Sequence, residues 1–339
     1  KTGVDKVLKS RVEECAPFEN VYTLALRGLH DKAMNASNDM SDRKKMLQEA
    51  LMAQRQMLVD AIGKRAEDIP QAFTPYKEVL DVYDEGLELP DDVTIIWPDD
   101  NYGYMKRLSS PKEQKRSGRS GVYYHSSYLG KPHDHLWMNT VSPTLMYEEL
   151  RKAYDMTADR IWLLNAGDIK SCEFAVDYFL TMAFDINAFN FERAANYRTE
   201  WLCGMLGDEY REEYQDVINS FYKLAFERKP EFMGWGYQWA TDKHGNERNT
   251  DTDFSFTNYR EADIRLAEYT RIGSIVEKIL NQLSDDHQKA CFYQLLYYPV
   301  KGCELLNQMV LNGQKNRWYS IQQRAATEFL ANKTKVCYD

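Results

Sequence analysis

Val93-Thr-Ile-Ile-Trp-Pro-Asp-Asp-Asn101 is the stretch that decides the fold: a short apolar run that breaks into a burst of polar residues. A continuous apolar run bounded by turn residues suits a strand buried on both faces. The same rhythm recurs on either side of it. Val21 to Leu26 leads into Arg27, His30 and Asp31, and Gln71 to Thr74 leads into Tyr76, Lys77 and Glu78. Val122 to Tyr124 leads into His125 and Tyr128, and Ile161 to Leu164 leads into Asn165 and Asp168. Polar residues gathered at the carboxyl ends of successive buried strands are the pattern of the catalytic face of a β/α barrel.

Working outward, the segments between these runs read as helices. Lys1 to Cys15 carries Val4, Val7, Leu8 and Val12 on one face, and about Ser41 to Ile62 forms a long helix with Ser41 and Asp42 supplying N-cap chemistry. A short helix is expected near Val79 to Glu85, one from Ser142-Pro143 to Tyr154, and one from about Cys172 to Phe184. Strands alternating with helices mean parallel βα units. The loop from Lys106 to Gly121, rich in Ser, Lys, Arg and Gly, is expected as a mobile rim. A closed barrel has eight strands and this chain supplies five. The expectation is therefore an α/β chain that starts about three βα units into a TIM-type (β/α)8 barrel.

After about Asp185 the strand-like runs stop. Asn196 to Phe226 and Tyr259 to Asn312 read as long amphipathic helices; within the latter, Ser284-Asp285-Asp286 is an N-cap before a helix containing Phe292 and Leu295, which Pro299 should end or kink, and a final helix is expected over Arg317 to Lys335. Two domains follow from this: a partial barrel over 1–188 and a helical bundle over 189–339, with a Gly-, Trp- and Asp/Asn-rich loop near 229–256.

Composition narrows the function. A net charge of −9 argues against a general nucleic-acid binder, which needs a basic surface. No apolar stretch approaches the roughly 20 residues that span a bilayer. The six cysteines are scattered without a Cys-x-x-Cys pair, so neither a zinc ribbon nor a disulfide framework is indicated. Aromatic residues make up 13% of the chain; they fill cores and also stack on sugar faces.

Glycoside hydrolysis needs two carboxyl groups across the scissile bond. Glu78 is the candidate acid, in an apolar sequence context that would raise its pKa. It can equally be an ordinary first-turn glutamate. Arg27 can hold a carboxylate as a uronic acid requires, and Asp31 is either the base or the partner of Arg27. Asp99 can accept from sugar hydroxyls or close an Asx turn. His125 and Tyr128, with His133, Asp134 and His135, suit hydrogen bonding to a ligand better than zinc ligation. Asn165 and Asp168 complete the set, unless Asp168 caps the helix that follows. No metal and no cofactor is called for.

Trp97-Pro-Asp-Asp-Asn-Tyr-Gly-Tyr104, Gly121-Val-Tyr-Tyr-His125, Pro132-His-Asp134, Leu164-Asn-Ala-Gly-Asp-Ile-Lys170 and Tyr298-Pro-Val-Lys301 together resemble glycoside hydrolase family 115, the xylan α-1,2-glucuronidases. The resemblance implies a barrel followed by a helical bundle, with removal of glucuronic acid or its 4-O-methyl ether from xylan with inversion. By position it implies Glu78 as general acid, Arg27 with Asp31 serving the uronate and the base role, and Asp99, His125 and Tyr128 around the sugar; beside it, Lys77 is a second cation that can pair with the sugar carboxylate. It further implies glucuronoxylan or aldouronic-acid oligosaccharides as partners, and a polymeric substrate implies a secreted or periplasmic location; a homodimer through the bundle is a separate expectation. Two other readings stay open: a metal-dependent barrel hydrolase, and a non-catalytic interaction piece.

Overall fold

The computed structural model describes residues 2–28, 32–34, 39–130, 133–234 and 250–338. Five strands form one sheet in sequence order: β1 (Tyr22–Thr23), β2 (Gln71–Phe73), β3 (Thr94–Pro98), β4 (Ser120–His125) and β5 (Ala158–Asn165). The first four pair in parallel, with Tyr22 opposite Gln71, Ala72 opposite Thr94, and Ile96 opposite Gly121. Ser120 donates its N–H to the carbonyl of Thr157, and Ser126 donates to that of Asn165, so β5 runs alongside β4 in the same direction. Parallel neighbours need long crossovers, and right-handed ones in consecutive order send every connecting helix to one face. A doubly wound sheet, by contrast, reverses its order midway.

The chain divides into two compact units, one of residues 1–124 with 149–164 and one of residues 125–148 with 165–339. In the first, α1 (Thr2–Cys15), α2 (Met40–Ile62) and α3 (Glu78–Asp84) accompany the strands. Leu47, Leu51 and Leu58 of α2 are buried in one cluster with Phe73, Val82, Ile95 and Trp97. Two expectations are corrected here. The cap of α2 is Asp39, whose carboxylate accepts from the N–H groups of Ser41 and Asp42, because an Asp ahead of the first turn reaches those orphan donors and the helix residues cannot. The apolar face of α1 is only partly used, since Val7 is 69% exposed.

The segment from Lys106 to Gly121 is not a loose rim. Ser109 accepts from the Trp97 indole at 2.9 Å, and Arg116 donates to the carbonyls of Leu89, Pro90 and Val93. Glu113 accepts from Arg107, from the Ser110 N–H and from the Tyr83 hydroxyl. Burial pushes the Glu113 carboxyl up, but these donors outweigh it and hold its pKa down at about 2. A carboxyl depressed in the folded state stabilises the fold above its unfolded pKa, and that contribution is lost as pH falls from about 4.5 towards 2. The thermal midpoint is therefore expected to drop across that window. Glu113→Gln is expected to start lower at neutral pH and fall less steeply; a parallel acid limb in the variant would contradict the assignment.

The second unit is helical: α4 (Pro143–Asp155) begins in it, followed by α5 (Glu173–Phe184), α6 (Phe191–Leu206), α7 (Arg211–Glu227), α8 (Glu261–Gln282), α9 (Asp286–Phe292), α10 (Tyr298–Ile321) and α11 (Thr327–Tyr338). Tyr214, Phe221, Tyr269, Val276, Phe292 and Val300 form its main core. The single helix expected over Asn196 to Phe226 is two, separated at Gly207, whose φ is 89°. Pro299 does not stop a helix; it sits in the first turn of α10, preceded by a π-helical turn at Tyr293–Tyr297. A proline in a first turn loses no hydrogen bond, and the wider π turn absorbs the join. The final helix begins at Thr327 and not at Arg317, which lies within α10. Of the expected loop near 229–256, residues 235–249 lie outside those described.

Candidate active site

Glu78 is the first residue of α3, directly after β2 and its turn. The preceding Lys77 has φ 52° and ψ −123°, a sparsely populated conformation for a residue with a side chain. Such backbone costs of order 1–3 kcal/mol and persists where its surroundings hold it. Facing this turn is the segment after β1. The Gln54 amide of α2 brackets Ala25, accepting from its N–H at 3.0 Å and donating to its carbonyl at 2.7 Å. Gly28 donates to the carbonyl of Lys32. Arg27, held between these two anchors, forks onto Glu78: Nε donates to Oε1 at 3.3 Å and Nη2 to Oε2 at 3.2 Å. The backbone N–H of Met34 adds a bond to Oε1 at 3.2 Å.

Aromatic rings complete the group. The Arg27 guanidinium lies 5.3 Å from the centre of the Tyr76 ring, and the Lys77 ammonium lies 5.0 Å from it. The Tyr76 hydroxyl donates to Asn101 Oδ1 at 2.8 Å, which turns the amide nitrogen of Asn101 away from the tyrosine and leaves it a donor. Asn101 itself has φ 74°, which asparagine tolerates better than most residues. Tyr76 and Asn101 were both visible in the polar bursts, but only the fold reveals that they touch.

The electrostatics correct one expectation. Burial pushes the Glu78 carboxyl up, but the hydrogen bonds and charge of Arg27, the α3 N-terminus and the Met34 N–H outweigh it. The net result lies below the ordinary carboxylate range, not above it as the apolar sequence context suggested. Asp99 directly follows β3. It is 2% exposed, and its two oxygens accept from the N–H groups of Asn101 and Gly103. It closes its own turn and so presents Asn101, which is the Asx-turn reading. Asp100 does the same one step on, accepting from Tyr102 and Tyr104.

In the second unit His125 ends β4, 1% exposed, with its ring 5.6 Å from that of Tyr128 and nearly perpendicular to it. Tyr128 and His135 exchange backbone hydrogen bonds. Asn165 ends β5, and its carbonyl accepts from both the N–H and the hydroxyl of Ser126. The Asp168 side chain makes no helix cap; it accepts from the Trp137 indole at 3.0 Å. Asp31 lies outside the described residues. Among the described residues, no three His, Cys, Asp or Glu side chains gather as a metal ion would need.

The sequence model of glycosyl hydrolase family 115 matches residues 1–232. The chain belongs to glycosyl hydrolase family 115. A solved member of family 115, described as a novel 4-O-methyl-α-glucuronidase with specificity for decorated arabinogalactans, is similar to it at 34% identity, with a TM-score of 0.86. The match covers 98% of this chain and 43% of that one, so the chain spans less than half the length of its solved family 115 relative. No curated protein matches. Family 115 membership accords with the strand-end motifs, which lie within the matched residues apart from Tyr298 to Lys301.

Proposed function

We propose that this chain carries the later strands and the helical bundle of a glycoside hydrolase that releases α-1,2-linked glucuronic acid, or its 4-O-methyl ether, from glucuronoxylan. The supporting observation is a guanidinium and a carboxyl in one place: Arg27 forked onto Glu78 beside Tyr76 and Lys77. A carboxylated sugar needs a cation for its carboxylate, and its glycosidic oxygen needs a proton donor nearby. In this reading Glu78 protonates the xylose oxygen as the bond breaks. A carboxylate on the opposite side, about 6.5–9.5 Å away, activates the water that attacks with inversion; Asp31 is the candidate. Residues 1–188 then belong to a (β/α)8 barrel, and residues 189–339 to a bundle through which two copies pair. A polymeric substrate places the enzyme outside the cytoplasm.

The test is release of 4-O-methylglucuronic acid from glucuronoxylan, comparing this chain with one extended to the length of the solved relative. Release by the longer chain is expected. Because that relative is described as specific for decorated arabinogalactans, these form the second substrate. Release from arabinogalactan alone would reassign the substrate, and release from neither would confine the likeness to the scaffold.

A further inference from the structure

The Arg27–Glu78 fork raises a difficulty for any acid-catalysed step. A general acid must carry a proton when the bond breaks, yet Glu78 is held as a carboxylate by the residue placed to receive the sugar. We propose that Arg27 exchanges partners: a sugar carboxylate draws its guanidinium off Glu78, and Glu78 takes up from solvent the proton it then donates. This rests on the uronide reading given above.

Three observations carry it. The fork is long, at 3.3 and 3.2 Å where charge-assisted bonds usually measure about 2.7–2.9 Å, so it is a pairing that a better-placed carboxylate can displace. Both side chains are 18% exposed, so the pair is reachable. The bonds are also unevenly shared. Oε1 keeps the Met34 N–H when Arg27 leaves, whereas Oε2 loses its bond from Arg27 Nη2. Oε2 is thus the oxygen that receives the proton. Among the described residues, the charged groups flanking Glu78 include Arg27 after β1, Lys77 in the turn before α3 and Asp81 in the first turn of α3; His30 and Asp31 lie outside the described residues.

The balance is simple. One carboxylate replaces another on Arg27, the displaced one binds one proton, and the net charge of the site is unchanged. A neutral sugar cannot displace Glu78, so discrimination between uronides and hexosides and charging of the acid become one event.

Calorimetry of D-glucuronate binding to the full-length protein, in buffers of differing ionisation enthalpy, counts the protons taken up. Near one proton is expected for the wild type between the paired and released pKa values of Glu78, with Kd rising by about tenfold per pH unit across that window. Glu78→Gln is expected to bind glucuronate with no uptake. A carboxylic-acid band in the infrared difference spectrum of the wild type, absent with D-glucose, checks the same step without a variant. Glucuronate binding without proton uptake or that band overturns the exchange and leaves the uronide reading standing. Absence of glucuronate binding in both wild type and variant overturns both.

Discussion

Glu78→Gln is expected to lower kcat on glucuronoxylan by about 10²–10⁴-fold while leaving KM within a few-fold. The substitution keeps the volume and one acceptor oxygen, so the Met34 N–H retains a partner while the transferable proton is lost. The loss should depend on the leaving group. A xylose oxygen departs poorly without a proton, whereas an activated aryl oxygen departs almost as well unassisted. On an aryl glucuronide the variant should therefore recover most of the wild-type rate. An equal loss on both substrates would mean that Glu78 anchors Arg27 and donates no proton. Near-normal activity on xylan would remove it from the site altogether.

Gly121→Ala is expected to cost about 3 kcal/mol or more in unfolding free energy, or to prevent folding. Gly121 sits in β4 opposite Ile96 of β3, and a Cβ there would come 2.0 Å from the carbonyl oxygen of Ile161 and 2.9 Å from its carbonyl carbon. Those atoms belong to the backbone of β5, so no rotamer change relieves the contact. Either β5 moves away and its pairing with β4 loosens, or β4 shifts and loses register with β3. Denaturant unfolding measures the cost. A change under about 0.5 kcal/mol, the range of an ordinary surface substitution, would show that β5 packs more loosely than the structure places it.

The strands were legible because apolar runs this short, ended this abruptly, leave few alternatives: all five formed, β3 to within a residue at either end. Helix ends were less legible where one chain position can serve two roles. Pro299 is a stop signal inside a helix but an ordinary first-turn residue once a π turn precedes it. At the site, sequence placed Arg27 and Glu78 among the same strand-end bursts, but their pairing crosses 51 positions. The sign of the Glu78 shift depends on that distant partner, and neighbouring residues pointed the other way. Asp168 and Trp137 meet across 31 positions for the same reason. The turn at Asp99 was legible as one of two readings of that residue, and the Asn101 and Gly103 N–H groups supply its bonds.

The sheet order has a consequence for how the chain comes to be made. Each strand pairs with the strand before or after it in sequence, so no strand must wait for a distant segment to emerge. Contacts of this kind close loops of modest length, and the entropy of closing them is recovered as each strand docks. During synthesis β2 can settle on β1 while β4 is still within the ribosome, and the sheet can grow one edge at a time. At every stage the strand docked last presents an unpaired edge. Substitutions that slow one docking step, such as Gly121→Ala, would prolong exposure of the β4 edge and should appear first as aggregation of the nascent chain, before any loss shows in the finished protein.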